Sequence, residues 1–171
     1  MDADNVVWTT PSKDHNGSMP IGNGDVGLNV WMEETGDLIF YLSKTDAWDE
    51  NARLLKLGRV RISLSPNPIT DSFTQELDLA TGAIRIQTSV GSHETTLCIW
   101  VDANRPVVRV EIDSTVPVEA RARLELWRTS ERPREDEEGT SQAGLRSPDD
   151  REIVYPDTVL PTTEEAVLWC H

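Results

Sequence analysis

The chain is expected to be all-β, an antiparallel β-sandwich, and three observations predict this. Apolar and polar residues alternate at period two through a series of runs between Phe73 and Trp127. Turn signals separate those runs at roughly ten-residue spacing, the pattern of an antiparallel meander in a sandwich or barrel. No strongly amphipathic helical stretch interrupts them, and no solenoid repeat is visible.

Taken in order, Val6 to Thr9 form a short opening strand and Thr10 to Ser18 a polar loop. The rest of the chain is organised around the stretch from Met19 to Trp48. Its first part, Pro20 to Gly27, sets three glycines around Asn23 and Asp25 and is expected to be a rigid loop. A hairpin comes next, Leu28 to Met32 and Leu38 to Leu42, closed by Glu33-Glu34-Thr35-Gly36-Asp37. Trp48 to Leu57 mixes polar and apolar residues and can hold one helical turn. Val60 to Leu64 alternates as a half-buried strand, stopped at Ser65-Pro66-Asn67-Pro68 because two prolines cannot both sit inside a ladder.

The meander then runs through Phe73 to Leu79, Ala83 to Val90, His93 to Val101 and Val107 to Ile112. Its turns are Ala80-Thr81-Gly82, Gly91-Ser92 and Asp102 to Pro106. Val118 to Trp127 is expected to close it, with Ala120, Ala122, Leu124 and Leu126 on one face. From Thr129 to Glu152 the alternation dissolves into an acidic loop, solvated and mobile, around the charge run Glu131 to Gly139. Apolar character returns at Ile153 to Tyr155 and at Ala166 to His171. Residues 1–171 thus read as one sandwich domain, expected to be a fragment of a longer chain because it stops inside an apolar strand.

Composition narrows the function classes. A net charge of −14 argues against nucleic acid and anionic membrane surfaces, which need clustered lysine and arginine. A neutral partner such as a sugar is untouched by that argument. No stretch approaches the roughly 18 apolar residues needed to span a bilayer. Met1-Asp2-Ala3-Asp4-Asn5 is acidic where a signal peptide is basic and then apolar. Either the protein is cytosolic or a native leader was removed, and the second is favoured, with secretion or export to the periplasm expected. Cys98 and Cys170 lie far apart inside apolar runs and, with His93 and His171, lack the paired spacing of a zinc site. They read as small buried hydrophobes, a disulfide requiring their strands to be neighbours. No metal or cofactor is expected.

The motifs, in their order, resemble the N-terminal β-sandwich of glycoside hydrolase family 95, the α-L-fucosidase family, and its divergent bacterial relatives of unknown function. The residues that carry the likeness begin with Pro20-Ile21-Gly22-Asn23-Gly24, followed by Gly27 and an apolar strand. Leu42-Ser43-Lys44-Thr45-Asp46-Ala47-Trp48 comes after it, and then Leu77-Asp78-Leu79 with the Thr81-Gly82 turn. The strand pair Thr95 to Val101 and Val107 to Ile112 completes a likeness over residues about 5–127. Ser43-Lys44 replaces the family's asparagine-glutamate pair, and Asp49-Glu50 its small residue and glycine, which favours a divergent relative over a fucosidase. The resemblance implies a supersandwich-like domain, as in families 95 and 65, packed on an (α/α)6 barrel that carries the acid and base. It places no catalytic residue in this chain.

The residues themselves agree that no catalytic constellation stands out. Glycoside hydrolysis needs two carboxyl groups about 5–10 Å apart. Among 30 acidic residues, pairs such as Asp46 with Asp49 or Glu33 with Glu34 arise freely. Ser18, Ser43 and Ser63 lack the glycine-framed nucleophile elbow. The glycine loop is followed by a strand, not the helix that a phosphate cradle requires. It is a structural turn, or it lines a neighbouring barrel's cleft, with Asn23 bonding a sugar hydroxyl or adjoining backbone. Of six tryptophans, Trp31, Trp100 and Trp169 lie in apolar strands and read as core, and Trp8 and Trp127 stand at strand ends. Trp48, flanked by Asp46, Asp49 and Glu50, is the candidate sugar platform or interdomain plug. Asn23, Asp46 and Trp48 are therefore the candidate substrate-binding residues. The expected role is a non-catalytic sandwich that packs on the barrel of its own parent chain and shapes a carbohydrate cleft. An autonomous carbohydrate-binding module, or a structural module without ligand, is the alternative. A relative of disaccharide phosphorylases is the weaker one.

Overall fold

The computed structural model describes residues 4–49, 53–135, 153–161, 163 and 166–171, and every long element among them is a strand. In chain order these are β1 (Val6–Trp8), β2 (Met19–Gly22), β3 (Val26–Met32), β4 (Leu38–Trp48), β5 (Leu54–Ser65), β6 (Ser72–Asp78) and β7 (Ala83–Val90). They continue as β8 (His93–Val101), β9 (Val108–Ser114), β10 (Glu119–Glu125), β11 (Arg132–Pro133), β12 (Ile153–Val154), β13 (Thr158–Val159) and β14 (Trp169–Cys170). One antiparallel sheet has the order β1-β6-β7-β8-β9 and the other β10-β5-β4-β3-β2. No helix among the described residues is long and apolar enough to cross a membrane.

Period-two alternation builds the core between the sheets. Leu77, Ile84, Ile86, Leu97 and Ile99 face inward from the first sheet. Met19, Leu28, Val30, Met32, Leu38 and Phe40 meet them from the second. Gln75 sits among them at 1% exposure, and its Nε2 donates to the Val30 carbonyl at 3.3 Å, tying the sheets together. Trp31 and Ile39 alternate with the inward residues and so lie on the outer face of the second sheet, yet both are buried. That face carries its own cover. The 3-10 turn His15–Gly17 approaches it, with Ser12 N–H bonded to the Met32 carbonyl at 2.9 Å. Trp169 Nε1 also donates to the Leu57 carbonyl of β5 at 3.1 Å.

Four expectations are corrected. Only residues 23–25 of the expected glycine loop connect strands: Pro20 to Gly22 belong to the edge strand β2, where Met19 and Ile21 alternate inward and the edge tolerates Pro20 without an N–H, and Val26 and Gly27 open β3. No helical turn forms at 54–57: Leu54 to Leu57 belong to β5, which continues the ladder with β4 through Ser43↔Lys56 and Trp48↔Leu54. Register shifts after Leu42 and Ser43 bend this ribbon away from the flat sheet. The meander ends at β9, and β10 crosses to pair with β5. Gly58 allows close packing there, since a Cβ on it would lie 3.1 Å from Leu124 Cδ1 and 3.3 Å from Leu126 Cδ2. Leu124 and Leu126 are half-buried in consequence, whereas Ala120 and Ala122 are exposed. Finally, Trp31 is core, but Trp100 and Trp169 are only half-buried, and Cys170 is exposed. Trp100 alternates with the inward Leu97 and Ile99 partners of the β8 ladder and so faces out. Cys98 and Cys170 are both free thiols.

Of the expected acidic loop, 136–152 lies outside the described residues. Its base is a two-residue ladder, Arg132↔Val154 and Pro133↔Ile153.

Candidate functional site

The connector between β2 and β3 carries the first predicted residue. Asn23 Oδ1 accepts from the N–H groups of Asp25 at 2.9 Å and Val26 at 2.8 Å. Its Nδ2 donates to the carbonyls of Asp102 at 2.8 Å and Arg105 at 3.0 Å. Two lone pairs and two hydrogens are the whole capacity of a carboxamide, and backbone occupies all four. Asn23 therefore ties the glycine connector of one sheet to the β8–β9 turn of the other.

Asp46 joins this corner through Lys44. The ammonium stands 2.6 Å from Asp46 Oδ2 and 3.2 Å from Asp25 Oδ1, while Thr45 Oγ1 donates to Asp25 Oδ1 at 3.0 Å. The hydrogen bond with Asp46 is the main cause that raises Lys44's pKa, and the same bond holds the Asp46 carboxyl below its ordinary range. Trp48 stands further along the ribbon. Its indole donates to the Thr45 carbonyl at 2.8 Å, and it faces Leu54 across the ladder, each about half exposed. Asn23 and Asp46 are thus brought together, and Trp48 meets them only through Thr45. The hollow at this corner, about 220 Å³, is lined by Gly22, Asp25, Lys44 and Thr45 but by neither Asp46 nor Trp48.

A larger cleft, about 430 Å³, lies on the outer face of the second sheet. Tyr41 and Trp127 form an aromatic corner in its lining, their rings in edge-to-face contact with centroids 5.9 Å apart and at 85°. The ring of Trp31 packs against Tyr41 at 5.3 Å and 56°, and that of His15 at 5.8 Å and 59°. Lys56 places its ammonium 4.6 Å from the Tyr41 centroid, within range of a cation–π attraction. Arg53, Arg59 and Arg128 complete a lining of four bases, and no carboxylate among the described residues lines it.

Acids outside the lining pair with three of those bases. Asp49 and Arg53 form a buried pair with Arg53 Nε 2.6 Å from Asp49 Oδ2. Arg128 Nε donates to Asp157 Oδ1 at 2.8 Å, with side chains 5% and 1% exposed, and its Nη1 donates to the Lys56 carbonyl at 2.8 Å. Arg59 pairs with Glu125, which also takes Arg61 Nε at 2.9 Å. Burial pushes Glu125 up, but the hydrogen bonds from Arg61 and Arg59 outweigh it and leave its carboxyl below the ordinary range. For Arg61, burial opposes the charge and hydrogen bonds from Asp37, Glu125 and Glu33 overcome it, so its pKa rises. Lys56 has no carboxylate partner among the described residues; its partner is the Tyr41 ring.

Sequence patterning alone does not reveal this cleft. Tyr41 and Arg59 are detectable as outward positions of alternating strands, opposite each other in register. The arrival of Trp127, Arg128 and Val154 over them is tertiary and leaves no local signal. Among the described residues no group of three or more His, Cys, Asp or Glu could hold a metal ion.

The profile of the DUF5703_N family, described as a domain of unknown function (DUF5703), matches residues 7–171. No curated protein matches the chain. With all but the first six residues inside the match, this all-β sandwich belongs to the DUF5703 domain family.

Proposed function

We propose that this sandwich is the non-catalytic N-terminal domain of a multidomain bacterial glycoside hydrolase, exported to the periplasm or secreted. It packs on an (α/α)6 catalytic barrel of its own parent chain and helps shape the carbohydrate cleft. The observation that carries the reading is the ribbon of β4 and β5, whose end presents Trp48 and Leu54 as an exposed cross-strand apolar pair beside the glycine connector. Exposed apolar side chains paired at the tip of a bent ribbon are suited to burial against a neighbouring body. Support also comes from the ordered motifs that resemble those of family 95 sandwiches, from Pro20 to Gly24 through Thr81-Gly82.

Two carboxylates, Asp46 and Glu125, agree with a non-catalytic role. A glycosidase's general acid needs a raised pKa. Asp46 and Glu125 are instead held ionised by Lys44, Arg61 and Arg59. Hydrolysis of aryl glycosides by the 171-residue chain and by the longer product of the same gene tests the proposal. Activity only in the longer protein is expected, reduced there by Trp48→Ala; activity of the isolated chain overturns it.

The autonomous binding module is favoured by a different observation, the Tyr41–Trp127 cleft. Indole and phenol faces stack on the C–H faces of sugars. Calorimetric titration of the isolated chain with a neutral and acidic glycan panel separates the two readings.

A further inference from the structure

We infer that the cleft of Tyr41, Trp127 and Lys56 is a binding site for an acidic saccharide, a uronate-containing glycan. The inference rests on the carbohydrate reading and names the ligand class of a site that reading does not require. Three observations converge on it. The first is shape and size: a cleft of about 430 Å³ whose lining includes Tyr41 and Trp127, their rings in edge-to-face contact at 85° so that they form one aromatic corner, with room for one or two sugar rings beside it.

The second is charge. In a chain of net charge −14, four bases and no described carboxylate line one cleft. The acids that balance three of them, Asp49, Glu125 and Asp157, are not among the lining residues. Those pairs fix Arg53, Arg59 and Arg128 as walls. Lys56 alone keeps its charge uncompensated by a described carboxylate, held over the Tyr41 ring. A carboxylate entering the cleft meets that ammonium and exchanges a weak ring contact for a charge-assisted hydrogen bond.

The third is preorganisation. Arg128 bonds the Lys56 carbonyl, Trp169 bonds that of Leu57, and the Tyr41 ring packs at a tilt against Trp31 and His15. The backbone and ring that carry the recognition are therefore set before a ligand arrives, which limits the entropy lost on binding. A neutral sugar makes the stacking contacts alone; a uronate makes them and satisfies Lys56.

The test is calorimetric titration of the full 171-residue chain with galacturonic acid oligosaccharides, neutral galactose oligosaccharides of equal length, and a polyglutamate of equal charge. Saturable binding of the uronate is expected, at least about tenfold tighter than either control, since a hydrogen bond to a charged group carries about that factor. Lys56→Gln is expected to erase the preference for uronate over neutral sugar. Tyr41→Ala is expected to remove binding of both, and Trp100→Ala, on the opposite sheet, to leave it intact. Circular dichroism and urea midpoints establish that each variant folds, and Trp127→Ala gives an independent ring deletion should Tyr41→Ala not fold. Equal affinity for uronate and neutral sugar overturns the acidic ligand while the carbohydrate reading stands. Equal affinity for polyglutamate overturns the saccharide, and absence of any binding overturns the site. The parent-enzyme reading is judged separately, by hydrolysis in the longer protein.

Discussion

Arg128→Ala is the perturbation that most directly tests how the outer face of the second sheet is held. Arg128 donates to Asp157 and to the Lys56 carbonyl, and Asp157 N–H returns a bond to the Arg128 carbonyl at 2.8 Å. Both side chains are nearly inaccessible, at 5% and 1%. Asp157 Oδ2 is already without a hydrogen-bond partner, so loss of the guanidinium leaves a buried carboxylate with only the His171 ring, 3.0 Å from its Oδ1. Breaking a buried pair from one side costs about 3–5 kcal/mol. With a urea m-value of about 2 kcal/mol/M for a domain of this size, the midpoint falls by about 1.5–2.5 M at unchanged m. Urea titration at 25 °C followed by tryptophan fluorescence reads this directly. The double variant Arg128→Ala, Asp157→Ala should be less destabilised than the sum of the singles, because it removes the orphaned charge. A loss below about 1 kcal/mol, the range of exposed pairs, refutes the reasoning, as does strict additivity.

Three further outcomes are expected on the same physical grounds. Asn23→Ala empties four backbone hydrogen bonds at once and should cost about 1–3 kcal/mol, with amide exchange quickening together at the 22–26 and 102–105 turns. Gly36→Ala forces a side chain onto a residue at φ +83°, with its Cβ 2.5 Å from Asn67 Oδ1; a loss of about 1–2 kcal/mol in urea titration is expected, and Asn67→Ala should not restore it fully. Glu125 is lowered in the fold, so the stability it contributes is complete above its ordinary value of 4.5 and drains as the pH falls through the lower folded value. Glu125→Gln should lower stability at pH 7 and flatten its pH dependence in that acid window, read as midpoints between pH 2 and 6.

Strands are legible in the sequence where one face is buried and the other wet. β7 and β8 run from Ala83 to Val90 and from His93 to Val101, the bounds that alternation and turn residues predict, because inward Ile84, Ile86, Leu97 and Ile99 impose a strict period. Elsewhere the same rule is harder to apply. Trp100 follows the inward Ile99 and must face outward, yet an apolar run hides its own period. β4 and β5 extend past their predicted bounds because beyond Leu42 and before Gly58 the ribbon leaves the core, so polar and apolar residues no longer alternate by burial. The destination of β10 is hidden for a different reason. Its alternation fits either sheet, and the seven-residue ladder with β5, along which Leu124 and Leu126 pack closely over Gly58, forms only in the tertiary structure. Asn23 and Asp46 stand out by their setting in a glycine-rich corner, and the structure joins them through Asp25 and Lys44. The cleft has no such marker, since Tyr41 and Trp127 are 86 residues apart and meet only through tertiary packing.

The charge pattern sets a last expectation, one that separates a local site from a steered one. At 10 mM salt the Debye length is about 30 Å, so an approaching anion feels the whole molecule; at 150 mM it is about 8 Å, and it feels little beyond the cleft. The whole molecule carries −14, whereas the described lining of the cleft is basic. A ligand drawn in by the overall field associates more slowly as salt rises. Here the sign must reverse: the far field repels an oligouronate, screening removes the repulsion first, and the contact with Lys56 lies well inside the remaining screening length. Stopped-flow association should therefore quicken between 10 and 150 mM salt while dissociation changes little. An association rate that falls over that range means the anion is captured by some other basic surface, and the assignment to Lys56 is lost with it.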